Sequence, residues 1–414
     1  MIKNTLSIFC LLLTTLFYAQ DGWFELPNAP SDIGRFDDVF FITDDIGWAA
    51  NGPGGVVFKT IDGGDSWQEQ FASNSYFRNI EFITEDIGFL GTLDNTFYKT
   101  LDGGSTWNPV SISPNPHAIC GLHAVENTST IYGCGAFFTP AYIIKSVDSG
   151  ENWEFIDMSA YSNGLVEVLF TDENHGYASG NGASGGVVLE TFDGGSTWAE
   201  IFSTGIPGDY VWKLQVMENN SIIFGSVESN VQGRLVKSLD SGATWTMYDF
   251  PDNSVQAVGF ISPTHGWMGG HGTGFHKTED GGETWVNLGL GFSLNRFVFR
   301  NDNLAYCSGN SIYKYEGTLG IENFEQETVN DLEIIIAPNP IKDQLNIDVS
   351  FQHIDNLLLG LYHLDGRLIK VLTRDRVASA GKKSYTFEFD YPAGPYMLDF
   401  HTNNGRRTKI ILKE

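Results

Sequence analysis

The chain has 414 residues, 42% of them apolar and 14% aromatic, and a formal net charge of -27. That apolar content is enough for a packed core, and an acidic surface repels phosphate backbones and anionic lipid, which argues against nucleic-acid binding. The acid is unevenly spread: eleven acidic and eleven basic residues fall between Asp331 and Glu414, so the excess lies before that point and marks a domain boundary there.

At the N-terminus, Lys3 precedes an apolar run from Leu6 to Phe17 and then the small residue Ala19, the layout of a secretory signal over residues 1–19 with cleavage leaving Gln20 first. The run is too short to span a bilayer comfortably, and no other segment approaches the roughly 20 apolar residues a transmembrane helix needs. A soluble, monomeric mature chain without a transmembrane segment is expected. Cys10 lies inside the signal, in a context that matches a lipoprotein cleavage box poorly. Three cysteines then remain, too few for a disulfide framework. Cys120 and Cys134 fall on adjacent predicted strands and either pair or stay as buried thiols, and Cys307 is left over.

One motif recurs six times: Thr60 to Trp67, Thr100 to Trp107, Ser146 to Trp153, Thr191 to Trp198, Ser238 to Trp245 and Thr278 to Trp285, with the pattern Ser/Thr-x-Asp-Gly/Ser-Gly-x-Ser/Thr/Asn-Trp or a close variant. Its aspartates Asp62, Asp102, Asp148, Asp193, Asp240 and Asp280 are 40, 46, 45, 47 and 40 residues apart, the period of four-stranded propeller blades. About 20 residues before each motif lies a second signal, an apolar strand, a polar turn and then usually Gly-aromatic. It occurs seven times, at Phe41–Trp48, Phe82–Phe89, Val125–Tyr132, Phe170–Tyr177, Met217–Phe224, Phe260–Trp267 and Phe299–Tyr306. The seventh unit continues through Ser311 to Tyr315 and stops without a tryptophan turn, while Asp21 to Leu26 matches the strands that follow the other turns. The expected fold is therefore all-β: a seven-bladed β-propeller of four-stranded blades over residues 20–318, closed by an N-terminal strand that removes both open sheet edges.

The motif has a local physical reason. The carboxylate accepts N–H bonds from its own turn, Gly63 and Gly64 supply positive φ, the hydroxyl at Ser66 ties the turn to the next strand, and Trp67 covers apolar surface. The six aspartates are read as turn-holders and not as catalytic acids or calcium ligands, because the calcium-loop spacing is absent. No metal and no cofactor is expected. These residues resemble the Asp-box, or bacterial neuraminidase, repeat family. The run from Gly47-Trp48 through Lys59-Thr60 to Trp67 looks most like its photosystem II stability and assembly factor branch, a resemblance that implies fold far more than function.

A polar, acidic linker follows at 319–331, and then residues 332–414 alternate apolar and polar positions as a small antiparallel β-sandwich should. Pro338-Asn339-Pro340, Asp365-Gly366-Arg367, Gly394-Pro395-Tyr396-Met397-Leu398 and a terminal Lys409 to Lys413 resemble the type A C-terminal sorting domain of the type IX secretion system. The resemblance implies a Bacteroidetes-like source, the secretion machinery as partner, and a secreted or outer-membrane surface location.

In a propeller the Asp-box turns occupy one face, and ligands normally meet the other. There the expected longer loops are Gly135 to Tyr142, Gly180 to Gly186 and Ser226 to Gly233. Side chains expected to approach that face as ligand contacts are Asp37, Asp38, Tyr76, Arg78, Tyr161, Asp209, Tyr210, Trp212, Lys213 and Arg296, a set suited to sugar stacking or a peptide. A sialidase needs three arginines around a carboxylate, a Tyr-Glu pair and usually an Arg-Ile-Pro strand, and that strand is missing. Nucleophile elbows, phosphate loops and zinc-spaced clusters are absent too. The reading is a non-enzymatic recognition module for an extracellular protein or glycan. The alternative is a glycoside hydrolase using Asp37 or Asp38 with Asp209.

Overall fold

The computed structural model describes residues 22–31, 34–217, 220–301, 303–316, 333–351, 355–362, 368–377, 380–402 and 405–414. The signal at 1–19 with Cys10, the linker 319–331, Asp365 to Arg367 and Asn404 lie outside the described residues.

Residues 22–316 form seven four-stranded antiparallel sheets. Six are built from strands consecutive in sequence, while the seventh joins the first strand of the chain, Gly22–Glu25, to the last three before the linker. Trp23 pairs with Tyr315 and Glu25 with Tyr313 across that join. Trp23 is buried among Trp267, Phe275, Phe297 and Tyr315, with ring centroids 5.1 to 5.8 Å away, so the closing strand is packed as well as hydrogen-bonded. The first strand of each sheet is innermost: Phe36–Phe41, Phe77–Phe82, Gly121–Ala124, Gly164–Phe170, Tyr210–Met217, Val255–Phe260 and Arg296–Asn301. Each touches the next, and the last touches the first, so the sheets close a ring of seven blades.

The Gly-aromatic signal is a joint between blades. In four blades the Phe ending the inner strand faces a glycine across the sheet, as Phe41 faces Gly47, Phe82 Gly88, Phe170 Gly176 and Phe260 Gly266. A Cβ on any of these glycines would sit 2.4 to 2.5 Å from the ring, so only glycine lets the phenyl lie flat on the backbone. The exposed side of the ring then takes the aromatic of the preceding blade, with Tyr306 on Phe41, Trp48 on Phe82 and Tyr132 on Phe170 all at 3.6 Å, and Phe224 on Phe260 at 3.9 Å.

The Asp-box turns reach further than their own blade. Within the first, Asp62 Oδ1 accepts from Thr60 Oγ1 and the Ser66 amide at 2.8 and 2.9 Å, and Oδ2 accepts from Ser66 Oγ at 2.5 Å. The Ser66 hydroxyl therefore closes the turn itself rather than tying it to the next strand. The first glycine of the following turn, Gly103, uses its carbonyl to accept from Trp48 Nε1 and Lys59 Nζ of the previous blade, both at 3.0 Å. Gly194 accepts likewise from Tyr132 and Lys145, and Gly63 from Tyr306. Two boxes use Ser149 and Ser241 at positive φ where the others use glycine.

Of the three loops expected to be long, that after Gly135 spans 136–141 and a shortened third remains at 229–233. Strands Gly176–Gly182 and Gly185–Thr191 leave a two-residue hairpin, and strand Ile222–Glu228 takes up part of the third. The extra spacing there is longer sheet, because the added residues find ladder partners. Cys120, Cys134 and Cys307 are free and buried. The tail stacks a three-stranded sheet, Glu333–Ile336, Gln344–Phe351 and Gly381–Glu388, on a four-stranded one ordered Leu368–Val377, Asp355–Tyr362, Gly394–Thr402, Gly405–Lys413. Leu345, Ile347, Leu359, Leu361, Leu398, Phe400 and Ile411 lie in the core between them.

Candidate functional site

Each inner strand enters from the face opposite the Asp-box turns. Five of them carry a register shift at the same place, leaving Asp37, Arg78, Val166, Trp212 and Gln256 as the extra residue of a bulge. A bulge re-aims the side chains around it, and here Asp37, Arg78 and Gln256, with Asp38, Glu167, Lys213, Asn295 and Arg296, meet across the axis of the ring.

Two linked networks result. Asp37 Oδ1 takes the Arg35 guanidinium at 2.7 Å, the Asn295 amide at 3.1 Å and a short contact from Arg78. Arg78 also reaches Gln256 of the sixth blade at 3.3 Å and stands over the Trp212 ring, 5.3 Å from its centroid. In the second network Arg296 forms ion pairs with Asp38 at 2.7 Å and Glu167 at 3.2 Å, joining the seventh blade to the first and fourth, and Lys213 donates to Glu167 at 2.6 Å.

Burial alone would raise the Glu167 carboxyl, but Arg296 and Lys213 outweigh it and hold it below the usual range. Burial lowers the Lys213 ammonium, and Arg296 adds to that. At Asp38 burial prevails over Arg296 and the carboxyl is raised. Among the described residues Glu81 accepts the Ala124 amide alone, at 3.1 Å, and burial pushes its carboxyl up to about 8. His271, beside Arg35 at 2.5 Å, is pushed down to about 4 by burial and then by that guanidinium.

The expected ligand residues thus fall into three groups. Asp37, Asp38, Arg78, Lys213 and Arg296 meet at the axis, Trp212 lies against Arg78, and Tyr76 joins through Arg35 at 3.3 Å. Asp209 is drawn away to Arg234 at 3.3 Å, and the Tyr210 hydroxyl donates to the Phe137 carbonyl at 2.7 Å. Tyr161 stands outside the network in the turn before the fourth inner strand, 37% exposed. Asp37, Asp38, Arg78, Asp209, Trp212 and Lys213 are buried rather than presented on the loop face. The sequence reading missed Glu81, Glu167, Gln256, Asn295 and Arg35; aligning the inner strands on their cross-strand glycines would have collected the first three. Among the described residues no cluster of His, Cys, Asp or Glu could hold a metal.

The loop face carries several exposed aromatics, while Phe192, 68% exposed, stands on an Asp-box turn of the opposite face. Phe137 and Phe138, in the loop 136–141, are 39% and 45% exposed and pack edge to face at 4.9 Å, and Phe292 is 52% exposed before the seventh inner strand.

The model of a secretion-system C-terminal sorting domain matches residues 335–414. Residues 335–414 are a sorting domain. Such a tail marks cargo of the type IX secretion system for the cell surface or the extracellular space, and no helix among the described residues is long and apolar enough to cross a membrane. Within the sorting domain, Asn339 Oδ1 accepts the Leu412 amide at 2.8 Å, Ile341 N–H donates to Leu412 at 2.7 Å and Glu414 N–H to Ile341 at 2.9 Å. The Pro338-Asn339-Pro340 element and the chain end are therefore one structural unit, though some 70 residues separate them.

No curated protein matches the chain. Among solved structures it is similar to YCF48 bound to D1 peptide, at 18% identity and TM-score 0.56, over 73% of this chain and 98% of that one. It is also similar to PorZ, an essential surface component of the type IX secretion system of Porphyromonas gingivalis, at 14% identity and TM-score 0.52, over 94% and 60%. The GH74 enzyme of Niastella koreensis stands at 14% identity and TM-score 0.54, over 94% and 74%. At these identities the likeness concerns the fold.

Proposed function

We propose that the ring is an exported, non-catalytic recognition module that holds a protein or glycan on its loop face. One observation carries this reading: Asp37, Asp38 and Asp209, the carboxylates the hydrolase alternative would use, and Glu167 beside them are buried and each is held by a cation, while Glu81 keeps a backbone amide instead. Asp37 faces Arg35 and Arg78, Asp38 faces Arg296, Glu167 faces Arg296 and Lys213, and Asp209 faces Arg234. A glycosidase pair must reach both sides of a glycosidic bond in a substrate cleft. The apolar contact area on the loop face lies instead in Phe137, Phe138, Tyr161 and Phe292, side chains of the kind that stack on sugars or anchor peptides.

The test is a panel of polysaccharides and surface proteins screened for binding and for turnover with the same preparation. Binding that Phe137→Ala with Phe138→Ala abolishes, without released reducing sugar, is expected. Release of reducing sugar that disappears in Asp209→Asn would replace this reading by the hydrolase.

A further inference from the structure

The last strand of the sorting domain, Gly405–Lys413, is an edge of its sheet. Its end is occupied, because Leu412 already bonds outward to Asn339 and Ile341. Backbone groups alternate along a strand, so those of Ile410 and Thr408 point to the same outer side, and no strand pairs with them there among the described residues. Residues 339–341 have begun an additional strand and stopped where the free edge begins.

The side chains beside that edge are apolar and exposed. Ile410 is 67% and Leu412 45% exposed, and they stand opposite Met397 and Pro395 of the neighbouring strand, with Tyr362 beyond Met397. An edge with a row of exposed aliphatic groups is a template for strand pairing, which folded proteins normally protect with a charge, a proline or a cover. The strand is also basic, carrying Arg406, Arg407, Lys409 and Lys413 and no acidic residue, in a tail whose charges balance as a whole; such cations guard the edge against a second basic strand and leave an acidic one as the matching partner.

We infer that the free edge of Gly405–Lys413 is the docking strand of the sorting domain, taking an extended, acidic and apolar segment of the export machinery by strand addition. Main-chain bonds to Thr408 and Ile410 give affinity, Ile410 and Leu412 give apolar contact, and the strand's cations select an acidic partner. Residues 339–341 fix where the added strand can start. The inference rests on the sorting assignment of the tail.

The experiment follows export of the full chain in a type IX-competent host, with four variants. Deletion of residues 332–414 tests the assignment, and loss of export is expected. Ile410→Asp with Leu412→Asp tests the docking strand, and Lys409→Glu tests the charge without touching an apolar contact. Ile335→Asp is the control, an equally apolar residue, 49% exposed, on the edge strand of the other sheet. The first two substitution variants are expected to lower the exported fraction by about tenfold or more, with the purified chains keeping the thermal midpoint of the parent, while Ile335→Asp exports normally. Normal export of Ile410→Asp/Leu412→Asp and of Lys409→Glu, beside a deletion that blocks export, overturns the docking strand and leaves the assignment standing. Normal export of the deletion overturns both. A parent that sediments as a dimer and becomes monomeric with Ile410→Asp would give the edge to a second copy instead.

Discussion

The indole of Trp48 lies flat on the ring of Phe82, centroids 3.6 Å apart and 12° from parallel, and its Nε1 donates to Gly103 of the same neighbouring blade at 3.0 Å. One side chain thus carries both the apolar and the polar part of a blade joint. Trp48→Ala is expected to destabilise the ring by about 3–5 kcal/mol, and Trp48→Phe, which keeps the stack and loses the donor, by about 1 kcal/mol. Urea unfolding followed by circular dichroism checks both.

The glycine under the joint gives an independent expectation. A Cβ at Gly88 would lie 2.4 Å from the Phe82 ring, so Gly88→Ala should be destabilising by about 1–3 kcal/mol through overpacking. In combination with Phe82→Leu the penalty should shrink, which a double-mutant cycle measures directly.

Glu81 makes stability depend on pH with a definite sign. Its carboxyl is at about 8 in the folded chain against an ordinary value of 4.5, because it is buried; Arg296 lowers it only in part, and Asp38 and Glu167 add to the rise. Between those values the folded state keeps a proton that the unfolded state releases, so stability falls as pH rises, by about 1.4 kcal/mol per unit for this group. The raised Asp38 acts in the same direction. Urea midpoints at pH 5.5 and pH 8 should therefore differ in favour of the lower pH, and Glu81→Gln should make that slope shallower.

The Asp-box carboxylates of Asp62, Asp102, Asp148, Asp193 and Asp280, all held below the ordinary range by their own turns, have the opposite sign. Asp193 is lowered to about 2, first by the Thr197 side chain and then by the Thr197 amide. Its stabilisation is present above the ordinary carboxylate range and lost as pH falls toward about 2. Asp193→Asn should lower the thermal midpoint at pH 7, and the gap from the parent should close on acidification below pH 3.

Arg296 ties the seventh blade to the first and fourth through two buried carboxylates. Arg296→Met leaves Asp38 and Glu167 short of a partner and is expected to cost about 3–5 kcal/mol. Asp38→Asn in the same chain should recover part of that loss.

The ring was legible in sequence because its joints repeat. Phe41, Gly47 and Trp48 recur in kind with a period near 45 residues, and each recurrence serves the same contact. The axis was not legible for the converse reason. Asp38, Asn79, Gly121, Glu167, Lys213, Ala257 and Arg296 occupy equivalent places on seven inner strands but differ in residue type, so no motif marks them and only an alignment of the strands on the repeat brings them together. Their pairing is set across the ring, between residues such as Glu167 and Arg296 that are 129 apart in the chain. The bulge that re-aims Asp37 and Arg78 leaves no residue-type signature either. In the tail, Asn339 and Leu412 stood out as separate motifs, and only the fold brings them into contact.

The most direct test of the account is the closure of the ring by its first strand, where Phe24 stands opposite Lys314. Phe24→Cys with Lys314→Cys places two thiols on directly opposed positions of antiparallel strands, within reach of a disulfide. Mild oxidation followed by peptide mapping is expected to give the 24–314 bridge in nearly every molecule, with the native Cys120, Cys134 and Cys307 unmodified. Failure of that bridge to form in folded protein would contradict the closed ring and, with it, the axial network and the recognition face built on it.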